Sequence, residues 1–124
     1  MNNLDRELLE LAIAAAGMNV CSIQNEKFNC YGLDGKHNFH WNPLTNDSDA
    51  LRLAVKLRLS IESDVLIEVG YTAGIGGEYE YGCEVWIVHP DATTTKAQQL
   101  YNDDPDAATR RAIVLVAAQI GAKL

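Results

Sequence analysis

An α+β fold is expected of this chain, with an antiparallel sheet of three or four strands and helices packed on it. Three observations predict it. Apolar residues recur at helical spacing in three separate segments, residues 4–16, 47–57 and 105–121. Between the second and third, two runs alternate apolar with polar residues across a glycine-rich joint, the pattern of a hairpin. A length of 124 residues, 48% hydrophobic and 22% charged, is the composition of one ordinary globular domain, residues 1–124.

In the first helix, Asn3 is expected to cap a run from Leu4 to Ala16, with Leu4, Leu8, Leu11 and Ala15 as the stripe and Leu9 and Ile13 widening it. Asp5 and Glu7 favour the positive end of the helix dipole, and Gly17 is a natural terminator. Short extended pieces are expected at Cys21–Gln24, Phe28–Tyr31 and Asn38–Trp41, with a turn at Gly32, Asp34 and Gly35. Pro43 keeps Asn42 extended. Asn46 then caps the second helix, whose Leu51, Leu53, Ala54, Val55 and Leu57 form an arc wide enough to predict a largely buried helix.

In the hairpin, Val65, Ile67, Val69 and Tyr71 alternate with Leu66, Glu68, Gly70 and Thr72. Tyr79, Tyr81, Cys83, Val85 and Ile87 alternate with Glu78, Glu80, Gly82, Glu84 and Trp86. The expected result is one apolar and one partly acidic face, joined by Ala73-Gly74-Ile75-Gly76-Gly77. His89-Pro90 ends the second strand, and the polar stretch from Asp91 to Asp104 reads as a mobile loop with a helical turn near Lys96–Tyr101. Asp104 and Pro105 open a last helix that buries Ile113, Val116, Ala117 and Ile120 and closes at Gly121.

Ten basic and seventeen acidic residues give a formal charge of −7, which disfavours direct contact with nucleic acid or an anionic membrane and allows a basic protein partner. Three cysteines cannot all pair within one chain. With the acidic opening Asp5 and Glu7 unlike a secretory leader, reduced thiols and a cytoplasmic location are expected.

The segment Trp41-Asn42-Pro43-Leu44-Thr45-Asn46-Asp47, leading into Asp49–Leu57, resembles a group of small tailed-phage and prophage proteins, the phage ABA sandwich domain family. The Ala108–Val114 run, with Arg110-Arg111-Ala112-Ile113-Val114, and the Asp5–Ala12 opening are similar too. The resemblance implies an α/β sandwich, a phage accessory role and residence in a bacterial host cytoplasm. It brings no catalytic residues with it. Ala92–Asp104 is where the chain looks least like the group, and so where a specific role could sit.

Cys21, Cys30, His37 and His40 could ligate zinc, but the finger spacing is missing, and buried thiols with turn histidines explain them better. Cys83 with His40 or His89 lacks a nucleophile motif and sits in an apolar strand register. Glu68, Glu80 and Glu84 on one outer face could pair as acid and base, although a solvated strand edge needs the same residues. The clusters at Asn46–Asp49 and Asn102–Asp106 lack the pattern of calcium loops and suit helix caps. The glycine joint lacks a P-loop lysine. Trp86 falls on the face of Glu84 and Val88. Either a second helix layer covers it, the preferred reading, or it joins Tyr79, Glu80, Glu84 and Tyr101 as a binding patch.

No metal or cofactor is called for, and the expected function is non-enzymatic protein–protein interaction with a host or phage protein. A homodimer through Trp86 is allowed. The alternatives are an anti-defence inhibitor that imitates nucleic acid, which needs one continuous negative ridge, and a small-molecule binder or hydrolase built on the glutamate face and a histidine.

Overall fold

The computed structural model describes residues 2–24, 27–31 and 38–124. In chain order they form α1 (Asn3–Ala16), β1 (Asn19–Gln24), β2 (Lys27–Tyr31), β3 (Asn38–Trp41), α2 (Asp47–Leu57), β4 (Ser60–Thr72), β5 (Gly76–Val88), β6 (Thr94–Leu100) and α3 (Pro105–Gly121). The fold is α+β. Its strands form two antiparallel three-stranded sheets, ordered β1-β2-β3 and β4-β5-β6. The turn expected at Gly32–Gly35 lies outside the described residues.

Helix α3 is the centre of the molecule, packing on β5 and β6 and against α1 and α2. That position explains why Ala108, Ala112, Ile113, Val114, Val116, Ala117 and Ala118 are all buried, a wider arc than one face. Gly121 belongs to the helix and is needed for packing: a Cβ there would lie 1.9 Å from the Leu11 carbonyl oxygen. Asp5 meets Arg111 at the other end of this contact (3.1 Å), so α1 and α3 run in the same direction. Phe28, Cys30 and Trp41 from the first sheet and Cys83 and Val85 from the second join one continuous core with these helices.

Asn2, not Asn3, caps α1, accepting from the Asp5 amide at 2.7 Å. Its buried stripe is Leu9, Ala12, Ile13 and Ala16, while Leu4 is 57% exposed, because α3 lies one step around the helix from the expected face. Helix α2 is capped by Asn46 as expected, but it is not largely buried: Leu51 and Val55 are 60% and 68% exposed. It buries Ala50, Leu53 and Ala54 against its neighbours, with Leu57 partly buried beside the core, while Leu51 and Val55 of its apolar arc face outward.

The Trp-Asn-Pro-Leu segment is a structural joint. Asn42 Oδ1 accepts from the Leu44 amide (3.0 Å), and the Asn42 carbonyl accepts from the Thr45 and Asn46 amides. Asp49 reaches back to accept from the Asn42 amide (2.9 Å). Arg110 of α3 closes the joint from across the chain, donating to the Leu44 carbonyl (2.9 Å) and to Asp47 (2.6 Å). The acidic cluster at Asn46–Asp49 thus serves capping and docking.

The expected mobile loop is largely strand. Thr94–Leu100 forms β6, paired with β5 from Val88↔Thr94 to Gly82↔Leu100, in place of a helical turn at Lys96–Tyr101. Pairing to the edge of β5 overrides the helical preference of Lys96, Ala97, Gln98 and Gln99. Thr95 is buried there and shares a 2.7 Å hydrogen bond with His89 Nε2.

Candidate functional site

Strand β5 alternates without interruption, so Tyr79, Tyr81, Cys83, Val85 and Ile87 share an inner face, and Glu78, Glu80, Glu84, Trp86 and Val88 share the outer one. Helix α3 covers only the second half of the inner face, where the Cys83 thiol bonds Thr109. Beyond Gly82 the β4–β5 hairpin stands clear as an arm. Leu66, Tyr71, Ile75, Tyr79 and Tyr81 are exposed along it, Tyr71 by 72% and Ile75 by 83%.

Strand β4 does not alternate simply. Its register slips between Glu62 and Val65 and again between Glu68 and Gly70. Glu62 pairs with Glu84 on the outer face, but past the first slip Leu66 pairs with Tyr81 and Glu68 with Tyr79, on the inner face. Glu68 therefore does not share a face with Glu80 and Glu84 as expected, because one extra residue reverses the side chains that follow as far as the second slip. That bulge is held by Tyr101. Its hydroxyl accepts from the Asp64 amide (2.6 Å) and donates to Asp64 Oδ1 (3.0 Å), fixing Asp64 at a φ of 59°. Asp tolerates this left-handed conformation better than most residues.

An open cleft of about 670 Å³ lies where the arm meets the segment after β6, lined by Tyr79, Glu80, Tyr81, Tyr101, Asn102, Asp103 and Pro105. The last rung of the β5–β6 pairing is the Tyr101 amide donating to the Tyr81 carbonyl (3.1 Å). Asn102 and Asp103, at φ 48° and 67°, then turn the chain away to Asp104, which caps α3 through the Ala107 amide (3.1 Å). The cleft thus brings together three of the expected binding residues, Tyr79, Glu80 and Tyr101. It leaves out Trp86 and Glu84, which lie on the outer face near the far end of β5, where Glu84 accepts from Gln98 (3.2 Å). Among the described residues the helix packed on this sheet is α3, and it packs on the opposite face. The expected second helix layer over Trp86 is absent, and Trp86 is half-buried within the sheet.

Tyr81, Asn102, Asp103 and Pro105 are lining residues that the sequence reading missed. A readable signal accompanies them. From Leu59 to Val88 the chain carries six carboxylates, Glu62, Asp64, Glu68, Glu78, Glu80 and Glu84, and no Lys, Arg or His. No cation lines the cleft either.

The other candidates do not converge. Cys30 and His40 fall at adjacent rungs of the β2–β3 ladder, hence on opposite faces, His37 lies outside the described residues, and no cluster of three or more metal-ligating side chains occurs among the described residues. Burial, with a smaller contribution from the Asp49 charge, pushes the Cys30 thiol up to about 11. Burial also raises Cys83, partly offset by its Thr109 bond. Both are protonated at neutral pH, the opposite of an activated nucleophile. Glu80 and His89 are nine strand positions apart, roughly 30 Å, too far for joint acid–base work.

No helix among the described residues is long and apolar enough to cross a membrane. None of the family models, curated proteins or solved structures compared with the chain matches it.

Proposed function

We propose that this is a non-enzymatic accessory protein, of the phage or prophage kind its Trp41–Asp47 segment resembles, that acts in the host cytoplasm by gripping a basic surface of another protein with its hairpin arm. One observation carries the reading: an exposed arm with three tyrosines and three carboxylates, Glu68, Glu78 and Glu80, at the end of a hairpin that holds six carboxylates and no cation from Leu59 to Val88. Tyrosine supplies rigid contact area at low entropic cost and stacks on guanidinium groups, and the carboxylates steer and select a partner of opposite charge. A second copy of the chain would bring like charges together, so a different, basic protein suits the arm better than a homodimer.

Carboxylates Glu78, Glu80 and Glu84, with Glu62 across the ladder, form a row on the outer face, which favours as a second reading a partner whose basic surface ordinarily holds nucleic acid. The row is interrupted at Gly82 and followed by Trp86, so the tyrosine face remains the leading contact.

The test is capture from infected-host lysate by the full chain and by a Tyr71→Ser/Tyr79→Ala/Tyr81→Ala variant checked for native circular dichroism. The wild type is expected to hold a partner that the variant loses and that salt releases as the screening length falls. Equal capture by both proteins, or none by either, would defeat the proposal. Displacement of the partner by duplex DNA would favour the second reading.

A further inference from the structure

We infer that the free edge of β5 along Gly76–Glu80 takes an extended basic segment of the partner as an added strand, in the line that β6 vacates. This rests on the arm being the recognition element and specifies how it grips. Strand β6 pairs with β5 only as far as Gly82↔Leu100, and the Tyr101 amide closes the ladder on the Tyr81 carbonyl. The left-handed pair Asn102 and Asp103 then removes the chain from that edge, while β5 runs on to Gly76, paired on its other side with β4. Among the described residues no strand lies against the β6-side edge of β5 beyond Tyr81.

Main-chain groups of an antiparallel strand point alternately to its two neighbours. Since the Tyr81 carbonyl faces the β6 side, the amide and carbonyl of Tyr79, two residues away, face it too, across the mouth of the cleft. These are the groups a sheet edge offers to an incoming peptide. The side chains set the specificity. On the outer face, residues of an added strand opposite Glu78 and Glu80 meet carboxylates, so Lys or Arg belongs there. The residue between them falls on the inner face, beside the rings of Tyr79 and Tyr81, and suits an apolar or planar side chain. The same two glutamates reject a second β5 edge by direct like-charge opposition, which is why the occupant is a basic foreign strand and not another copy.

The experiment uses the isotope-labelled full chain and a blocked peptide of alternating lysine and valine, with its glutamate–valine counterpart as control. Amide exchange is read residue by residue. The basic peptide is expected to bind and to slow exchange of the Tyr79 amide about tenfold, and the acidic one to do neither. Tyr79→Pro deletes that amide at an edge position where proline is tolerated, and is expected to weaken binding about tenfold. Glu78→Lys/Glu80→Lys provides an independent variant, expected to reverse the preference toward the acidic peptide. Binding with no slowing at Tyr79, undiminished binding by a folded Tyr79→Pro protein, an unreversed preference, or no binding of the basic peptide would each overturn strand addition. Lysate capture that still depends on Tyr71, Tyr79 and Tyr81 would then leave the arm standing as a contact surface of another kind, whereas capture indifferent to them would sink both.

Discussion

Cys83, Val85 and Ile87 lie on the same face of the same strand as Tyr79 and Tyr81, yet the first group packs in the core and the second is surface. Cys83 and Val85 are fully buried, whereas Tyr79 and Tyr81 are more than half exposed. Nothing in the strand's alternation changes between them. What changes is the reach of α3, which covers the sheet only as far as Gly82. A strand's period tells which residues share a face, and a separate element decides whether that face becomes interior. The uncovered half carries tyrosine, which tolerates water at its hydroxyl and still offers a large contact area.

The sharpest way to probe that boundary is Gly82 itself. A Cβ there would lie 2.3 Å from the Gln99 carbonyl oxygen and 2.6 Å from Ile67 Cδ1, so backbone must move. Gly82→Ala is expected to cost about 3 kcal/mol in chemical denaturation. Gly77→Ala, in the arm, meets only the movable ends of Tyr79 and Glu68 and should cost well under half of that. On the covered side, Val85→Ala empties a fully buried position and should cost about 2 kcal/mol.

The buried thiols give a pH signature of the covered half. Cys30 sits near 11 when folded against an ordinary value of 9.0, so the folded state holds its proton where the unfolded state has lost it. Stability from this source is full below pH 9 and falls as pH rises to about 11, and the raised Cys83 adds in the same direction. Denaturation midpoints should decline across that window, and alkylation of both thiols in the native protein at neutral pH should be slow. The smallest stability effect belongs to the bare half: Tyr71→Ser and Ile75→Ser should each shift stability by less than about 0.5 kcal/mol. A large loss at either position would mean the arm is covered after all.

Much of the framework was legible because local chemistry agreed with the final contacts. Asn46, Asp104 and Pro105 begin helices as their types predict, β2 and β3 are extended where short extended pieces are expected, and β5 follows its alternation. The misses have physical causes. Strand β6 is written in residues that favour helix, and only the waiting edge of β5 makes Lys96–Leu100 extended. The face of Glu68 depends on a bulge at Asp64, and the hydroxyl that holds it comes from Tyr101, thirty-seven residues away. Of the residues that line the candidate cleft, Tyr79 and Glu80 were legible from strand register and Tyr101 from residue type alone. Asp103 and Pro105 were not, since they reach the cleft only through two left-handed residues that their letters permit without requiring. The absence of cations from Leu59 to Val88 was open to reading throughout.

The central helix follows every other element in the chain, and its links reach far back: Arg110 to Leu44, Arg111 to Asp5. Until residues past 105 have emerged from the ribosome, the hairpin can zip but its inner face has nothing to lie against, and α1 lacks the neighbour it packs on most closely. A nascent chain at that point exposes Cys83, Val85 and the tyrosines as one unbroken sticky strip. The seventeen-residue helix α3 therefore converts a uniform ribbon into a molecule with a sealed end and an open end.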